Sequence, residues 1–123
     1  MPISYRIDNI NRRIYTRAEG LVTYEELFRH MNADVGPDAA AYYEIFDCTG
    51  ATTNLSMEEV RKLALERQRI AQGQEPGPVA VVATTNVFFG MLRMFDVLTS
   101  TLRPIRIFRD INEAEKWLDT IKR

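Results

Sequence analysis

Val79-Ala-Val-Val-Ala83 is an unbroken apolar run, closed by G-Q-E-P-G-P before it and by Thr84-Thr85-Asn86 after it. A strand with one wet face alternates apolar and polar side chains, so a run without alternation must be covered on both faces. A central strand with helices on both sides of its sheet meets that need, and it sets the fold class at α/β. The next segment, Val87 to Leu98, reads V-F-F-G-M-L-R-M-F-D-V-L. A helix resting on one side of a sheet needs an apolar stripe a little over about 100° wide. Here apolar residues occupy most of the circumference, so the sheet covers one part and a partner chain, a ligand or a membrane surface covers the rest.

The remaining elements follow from periodicity and caps. Ile3, Tyr5 and Ile7 alternate with Ser4, Arg6 and Asp8, and Arg12 to Ala18 resumes in strand-like residues after the D-N-I-N turn, which predicts an antiparallel hairpin. Thr23-Tyr-Glu-Glu26 is a capping box with Val22 and Leu27 as its staple, so a first helix begins at Tyr24 with Tyr24, Leu27, Phe28 and Met31 on one face. Gly36-Pro37-Asp38 breaks the pattern, and the stretch from Asp34 to Ala41 is expected to be a mobile loop. Tyr43 to Cys48 reads as a short strand ending at Thr49-Gly50. Ser56-Met-Glu-Glu59 repeats the capping box with Leu55 and Val60 as staple, and Val60, Leu63, Ala64, Ile70 and Ala71 mark the inward face of a second helix. Its outer face carries Glu58, Arg61, Lys62, Glu66 and Arg69. Pro104 to Phe108 is a last strand, and Asn112 is the expected cap of a final helix with Ala114, Trp117, Leu118 and Ile121 inward.

This order, β-β-α-β-α-β-α-β-α, requires crossovers after the second strand, and crossovers join parallel strands with a right-handed turn. The prediction is a mixed five-stranded sheet, mostly parallel with an N-terminal antiparallel hairpin strand, and four main helices in one domain spanning residues 1–123.

The net charge of −1, from 16 basic and 17 acidic side chains, argues against nucleic-acid binding driven by phosphate neutralisation and against strong attraction to anionic membranes. The single cysteine, Cys48, has no internal disulfide partner, and the start M-P-I-S-Y-R lacks the apolar run of a signal peptide, so the expected location is the cytoplasm. No apolar segment approaches the roughly 20 residues that span a bilayer, although the apolar helix leaves peripheral membrane contact open. One His, one Cys and scattered carboxylates show no metal-ligand spacing, so neither a metal nor another cofactor is expected.

No catalytic constellation emerges, and the expectation is a protein that is not an enzyme. Asp47-Cys48-Thr49-Gly50 sits where a strand is expected to end, the side on which open α/β sheets gather ligands. A nucleophilic Cys48 needs a base and an orienting group, and the only histidine, His30, belongs to the first helix beside Phe28 and Met31; a buried, inert thiol and a partly exposed histidine account for both. Ser56 is read as a helix cap first and as a phosphoacceptor second. Thr52, Thr53 and Asn54 form a polar loop without the glycines of a phosphate cradle. Arg103, Arg106 and Arg109 around the last strand, and Arg61, Lys62, Arg67 and Arg69 on the second helix, read as solvated faces or ion-pair partners. On the third helix Arg93, Asp96 and Ser100 gather into one narrow polar strip. Phe88, Met91, Leu92, Phe95 and Leu98 are expected on the sheet, with Val87 and Met94 near the boundary, and Gly90 is read as a point of close backbone approach or, equally, as a plain packing need. Phe88, Met91, Met94 and Phe95 are the candidate ligand- or partner-binding residues.

The strand ending F-D-C-T-G-A, the capped helix after T-T-N-L-S, the V-A-V-V-A strand, F-G-M-L-R-M-F and I-R-I-F-R-D-I-N-E-A-E-K-W-L together resemble the SpoIIAA-like proteins, a bacterial group related to STAS and CRAL-TRIO domains. The resemblance spans nearly the whole chain and is most specific at Phe89 to Phe95 and Arg106 to Leu118. It implies one-way winding of β/α units and a regulatory or binding role. One branch binds lipidic molecules in an apolar cavity. Another switches protein partners through a phosphorylated serine in a D-S-S-G-type segment; Ser56 lies near that place, but the serine pair and the glycine are absent. The expected function is therefore binding of a hydrophobic or lipidic ligand, or of a regulatory protein, through Val87–Leu98 in a homodimer. The alternative is a partner switch at Ser56, which requires an accessible hydroxyl.

Overall fold

The structure is a computed structural model that describes residues 2–33, 35–36, 38–72, 77–99 and 105–121. Strands β1 (Ile3–Asp8), β2 (Arg13–Val22), β3 (Tyr43–Thr53), β4 (Val79–Val82) and β5 (Ile105–Phe108) form one sheet in the order β1-β2-β3-β4-β5. β1 pairs antiparallel with β2, and every later pairing is parallel. Helices α1 (Tyr24–Met31), α2 (Met57–Ala71), α3 (Asn86–Thr99) and α4 (Ile111–Thr120) complete the α/β architecture that the sequence predicted. No helix among the described residues is long and apolar enough to cross a membrane.

Strand order follows chain order, so right-handed crossovers carry α1, α2 and α3 to the same face of the sheet. α1 packs on α2 and α2 on α3, whereas α4 covers β3, β4 and β5 from the other side. Two cores result. Val79 and Val81 join Ala18, Val22, Cys48 and Phe88 under the three crossover helices, while Ala80 and Val82 join Tyr43, Ile45, Ala114 and Leu118 under α4. All four β4 residues are buried, the two-sided cover that the unbroken apolar run required.

Both long strands exceed their predicted bounds. Parallel pairing resumes at Glu19↔Gly50 after a register shift, and Cys48 and Thr49 together stand opposite Ala18. Two residues facing one is a β-bulge, so the end expected at Thr49-Gly50 is an irregularity inside a strand that runs on to Thr53. Thr52 and Thr53 are therefore strand residues and not a loop.

Both predicted capping boxes are present. Thr23 Oγ1 accepts from the Glu26 N–H at 3.3 Å and Glu26 Oε1 accepts from the Thr23 N–H at 2.8 Å; for Ser56 and Glu59 the two distances are 3.1 and 2.9 Å. Thr85 Oγ1 serves α3 by accepting from the Phe88 N–H at 3.2 Å. Asn112 does not cap α4: Asp110 Oδ1 accepts from the Asn112 N–H at 2.6 Å, and α4 starts one residue before the asparagine. The breaks expected at Pro37 and over residues 73–76, the loop assignment at Asp34, and the readings of Ser100, Arg103 and Pro104 lie outside the described residues.

Candidate functional site

A cavity of about 870 Å³ lies between the sheet and the three crossover helices. That volume falls within the range of small-molecule sites, roughly 300–1,000 Å³. The sheet contributes Phe46, Cys48, Val79 and Val81, and α3 contributes Phe88, Met91, Leu92 and Phe95. α1 adds Leu27, His30 and Met31 and has no fully buried residue, because its inward side faces the cavity and not a close-packed core. The apolar face predicted for α1 is thus divided. Tyr24 and Phe28 stack on each other at 6.0 Å between ring centroids, with Phe28 exposed, while Leu27 and Met31 turn inward.

The four residues singled out on α3 do not share one surface. Phe88, Met91 and Phe95, at i, i+3 and i+7, line the cavity, and Phe88 is 1% exposed. Met94 lies on the opposite side with Val87 and Val97, the latter two 71% and 70% exposed. Leu98, expected on the sheet, is exposed as well. At about 100° per residue the helix has room on its sheet side for 88, 91, 92 and 95 and turns 87, 94 and 97 away, whereas 98 falls only about 20° from 91 and is exposed at the last turn. Asp96 stands between these sides half-buried, and burial raises its pKa against the opposing charge of Arg93.

The polar groups of the cavity come from residues whose part the sequence did not reveal. Glu44 Oε2 accepts from Thr16 Oγ1 at 2.7 Å and lies 3.1 Å from His30 Nε2. The His30 ring packs edge-on against Phe46, with 5.2 Å between centroids, and its side chain is 14% exposed, more withdrawn than expected. Arg67 also lines the cavity. It is 7% exposed, and its Nε and Nη2 are sealed from solvent with no hydrogen-bond acceptor among the described residues. Burial lowers the Arg67 pKa from its ordinary value, while the nearby charge of Glu44 opposes the shift. A guanidinium stays charged in proteins, so this is a desolvated cation and not a member of the solvated face to which the sequence assigned it. The available signal was its spacing, since 67 falls on the apolar stripe of Val60, Leu63, Ala64 and Ile70. Glu44 carried a similar mark, an acid on the same strand face as Phe46 and Cys48.

The cavity's charged end is not the one expected. Glu44 is in register with Val79, near the amino ends of β3 and β4, and Arg67 stands in the last turns of α2, which returns to that end. Ligands gather at carboxyl ends where strand order reverses, and in this sheet the order never reverses. Cys48 is buried as expected, and burial, with Asp47 and Glu44 adding to it, pushes its thiol pKa far up. Ser56 is exposed, as a phosphoacceptor must be, and its Oγ is engaged as the helix cap. Arg109 is exposed, as a solvated face implies, and it also has fixed partners: it donates to Thr84 O at 2.8 Å and Asn86 Oδ1 at 3.0 Å, and covers the Phe89 ring at 4.2 Å. It ties the end of β5 to the start of α3.

With this arrangement in view, the chain can be set beside known proteins. The chain is similar to the crystal structure of an uncharacterized protein of the DUF3478 family with a SpoIIAA-like fold from Shewanella loihica PV-4. The two share 18% sequence identity and a TM-score of 0.57 over 94% of this chain and 93% of that one. The chain therefore has a SpoIIAA-like fold, as the sequence resemblance implied. No family model and no curated protein matches the sequence.

Proposed function

We propose that this chain is a non-enzymatic, cytoplasmic binding domain that holds a hydrophobic small molecule in the cavity beneath α3. The observation that carries this reading is the cavity of about 870 Å³, in which Phe88, Met91, Leu92 and Phe95 of one helix face Phe46, Val79 and Val81 of the sheet. Apolar walls with a few convergent polar groups are the usual makeup of a small-molecule site. Methionine fits such a wall, since its unbranched side chain adapts to ligands of varied shape. The SpoIIAA-like fold is compatible with a regulatory binding domain.

Titration with the neutral fluorophore N-phenyl-1-naphthylamine tests the reading. Saturable binding at one site is expected, and Met91→Trp, which fills the cavity from α3, is expected to abolish it while the far-UV spectrum stays unchanged. Binding that never saturates, or that Met91→Trp leaves intact, would overturn the reading. The outward residues of α3 support a second role for the same helix, self-association into a homodimer. Val87, Met94 and Val97 place an apolar strip on its exposed side, and light scattering that finds a monomer across the micromolar range would remove that role.

A further inference from the structure

The cavity contains one feature that a site for a purely apolar molecule does not need. Arg67 is 7% exposed, and its Nε and Nη2 have neither solvent nor, among the described residues, an acceptor. Buried polar groups are almost always hydrogen-bonded, and a desolvated cation without an acceptor is costly to maintain. The two open donors are the adjacent pair on one edge of the guanidinium, the edge whose N–H bonds run parallel. That edge matches the two oxygens of a carboxylate in a bidentate pair.

We propose, resting on the reading of the cavity as a hydrophobic ligand site, that its ligand is a monocarboxylate amphiphile, its head group paired side-on with Arg67 and its chain laid along Met91 and Phe95. The head-group end is fixed by position. Arg67 lies at the C-terminal end of α2 beside the amino ends of β3 and β4, and the apolar wall of α3 extends from there toward Phe88. The acid already in the cavity does not take the place of the ligand. Glu44 Oε2 accepts from Thr16 and lies within hydrogen-bond distance of His30, and Glu44 accepts nothing from Nε or Nη2 of Arg67. Glu44 does set the charge of the ligand, because a carboxylate so near favours a singly charged head over a phosphate dianion. Planarity argues the same way, since two coplanar oxygens satisfy the two coplanar donors.

The test compares cis-parinaric acid with its methyl ester, and uses N-phenyl-1-naphthylamine as a probe of the cavity that needs no head group. The acid is expected to bind more tightly than the ester, and Arg67→Met to weaken the acid roughly ten- to hundredfold, the worth of hydrogen bonds to a charged group, and to change binding of the neutral probe far less, so that the ratio of the two reads the head group. Arg67→Lys keeps the charge without the fork and is expected to recover only part of the loss. If Arg67→Met fails to fold, Arg67→Lys and the acid-to-ester ratio on the unsubstituted protein carry the decision. Equal binding of acid and ester, with no effect of either variant, would overturn the head-group assignment and leave the hydrophobic site standing. Failure of all three probes to saturate would remove both. Tighter binding of a long-chain phosphate monoester than of the acid would also overturn the assignment.

Discussion

Single residues in this chain show both what local sequence carries and where it misleads. Gly90 was read as a point where something approaches the backbone, yet a Cβ there would meet nothing within 4 Å. It sits on the exposed side of α3, where glycine loosens a helix and no close approach among the described residues offsets that. Gly90→Ala is expected to stabilise the protein by about 0.5–1 kcal/mol, read as a rise in the denaturant midpoint at unchanged slope. A decrease would mean that a second chain packs against that backbone. Arg67 misled in the opposite sense: its charge suggested solvent, while its place on the stripe of Val60, Leu63 and Ala64 brought it inside. A one-dimensional pattern names the face of a helix, and only the distance to the sheet decides whether a long side chain there can escape to water.

At the scale of elements, the two capping boxes were legible because their partners stand three residues apart, so both helix starts could be read from sequence. The end of α1 depends on a contact across the fold. Asn32, its C-terminal cap, donates to Glu66 Oε2 at 2.8 Å and accepts from Arg69 Nη2 at 3.0 Å, while Arg69 pairs with both Glu66 oxygens. Sequence placed Glu66 and Arg69 on the solvated face of α2, which is right for Arg69, but it gave no sign that they hold α1 over the cavity. The hydrogen bonds from Arg69 and then Asn32 lower the Glu66 pKa from 4.5 to about 2. A carboxyl with a depressed pKa in the folded state contributes stability that is complete above its unfolded value and is lost as pH falls toward the folded one. Glu66→Gln is accordingly expected to be less stable than the parent at neutral pH, with the difference shrinking below about pH 4.5 and gone near pH 2. Thermal unfolding across that range checks it; a constant difference would assign the loss to packing instead of ionisation.

For the molecule as a whole, element order was enough to obtain the sheet, because parallel strands in chain order with right-handed crossovers leave few alternatives. The cavity was beyond that reasoning. It lies under α1, an eight-residue helix held by contacts between side chains far apart in sequence, such as His30 and Glu44 or Asn32 and Glu66. The excess hydrophobicity of α3 then has two explanations on two sides of one helix. Its inner side, Phe88, Met91 and Phe95, lines the cavity, and its outer side, Val87, Met94 and Val97, faces solvent. These sides separate experimentally, since Val87, Met94 and Val97 are not part of the cavity wall. Val97→Glu is expected to convert the homodimer proposed here to a monomer in light scattering and to leave binding of N-phenyl-1-naphthylamine unchanged. Val97 is 70% exposed and belongs to neither core, and a charged carboxylate in a two-fold interface meets its own copy. Loss of probe binding together with dimerisation would instead show that the two sides of α3 form one site, completed by the second chain.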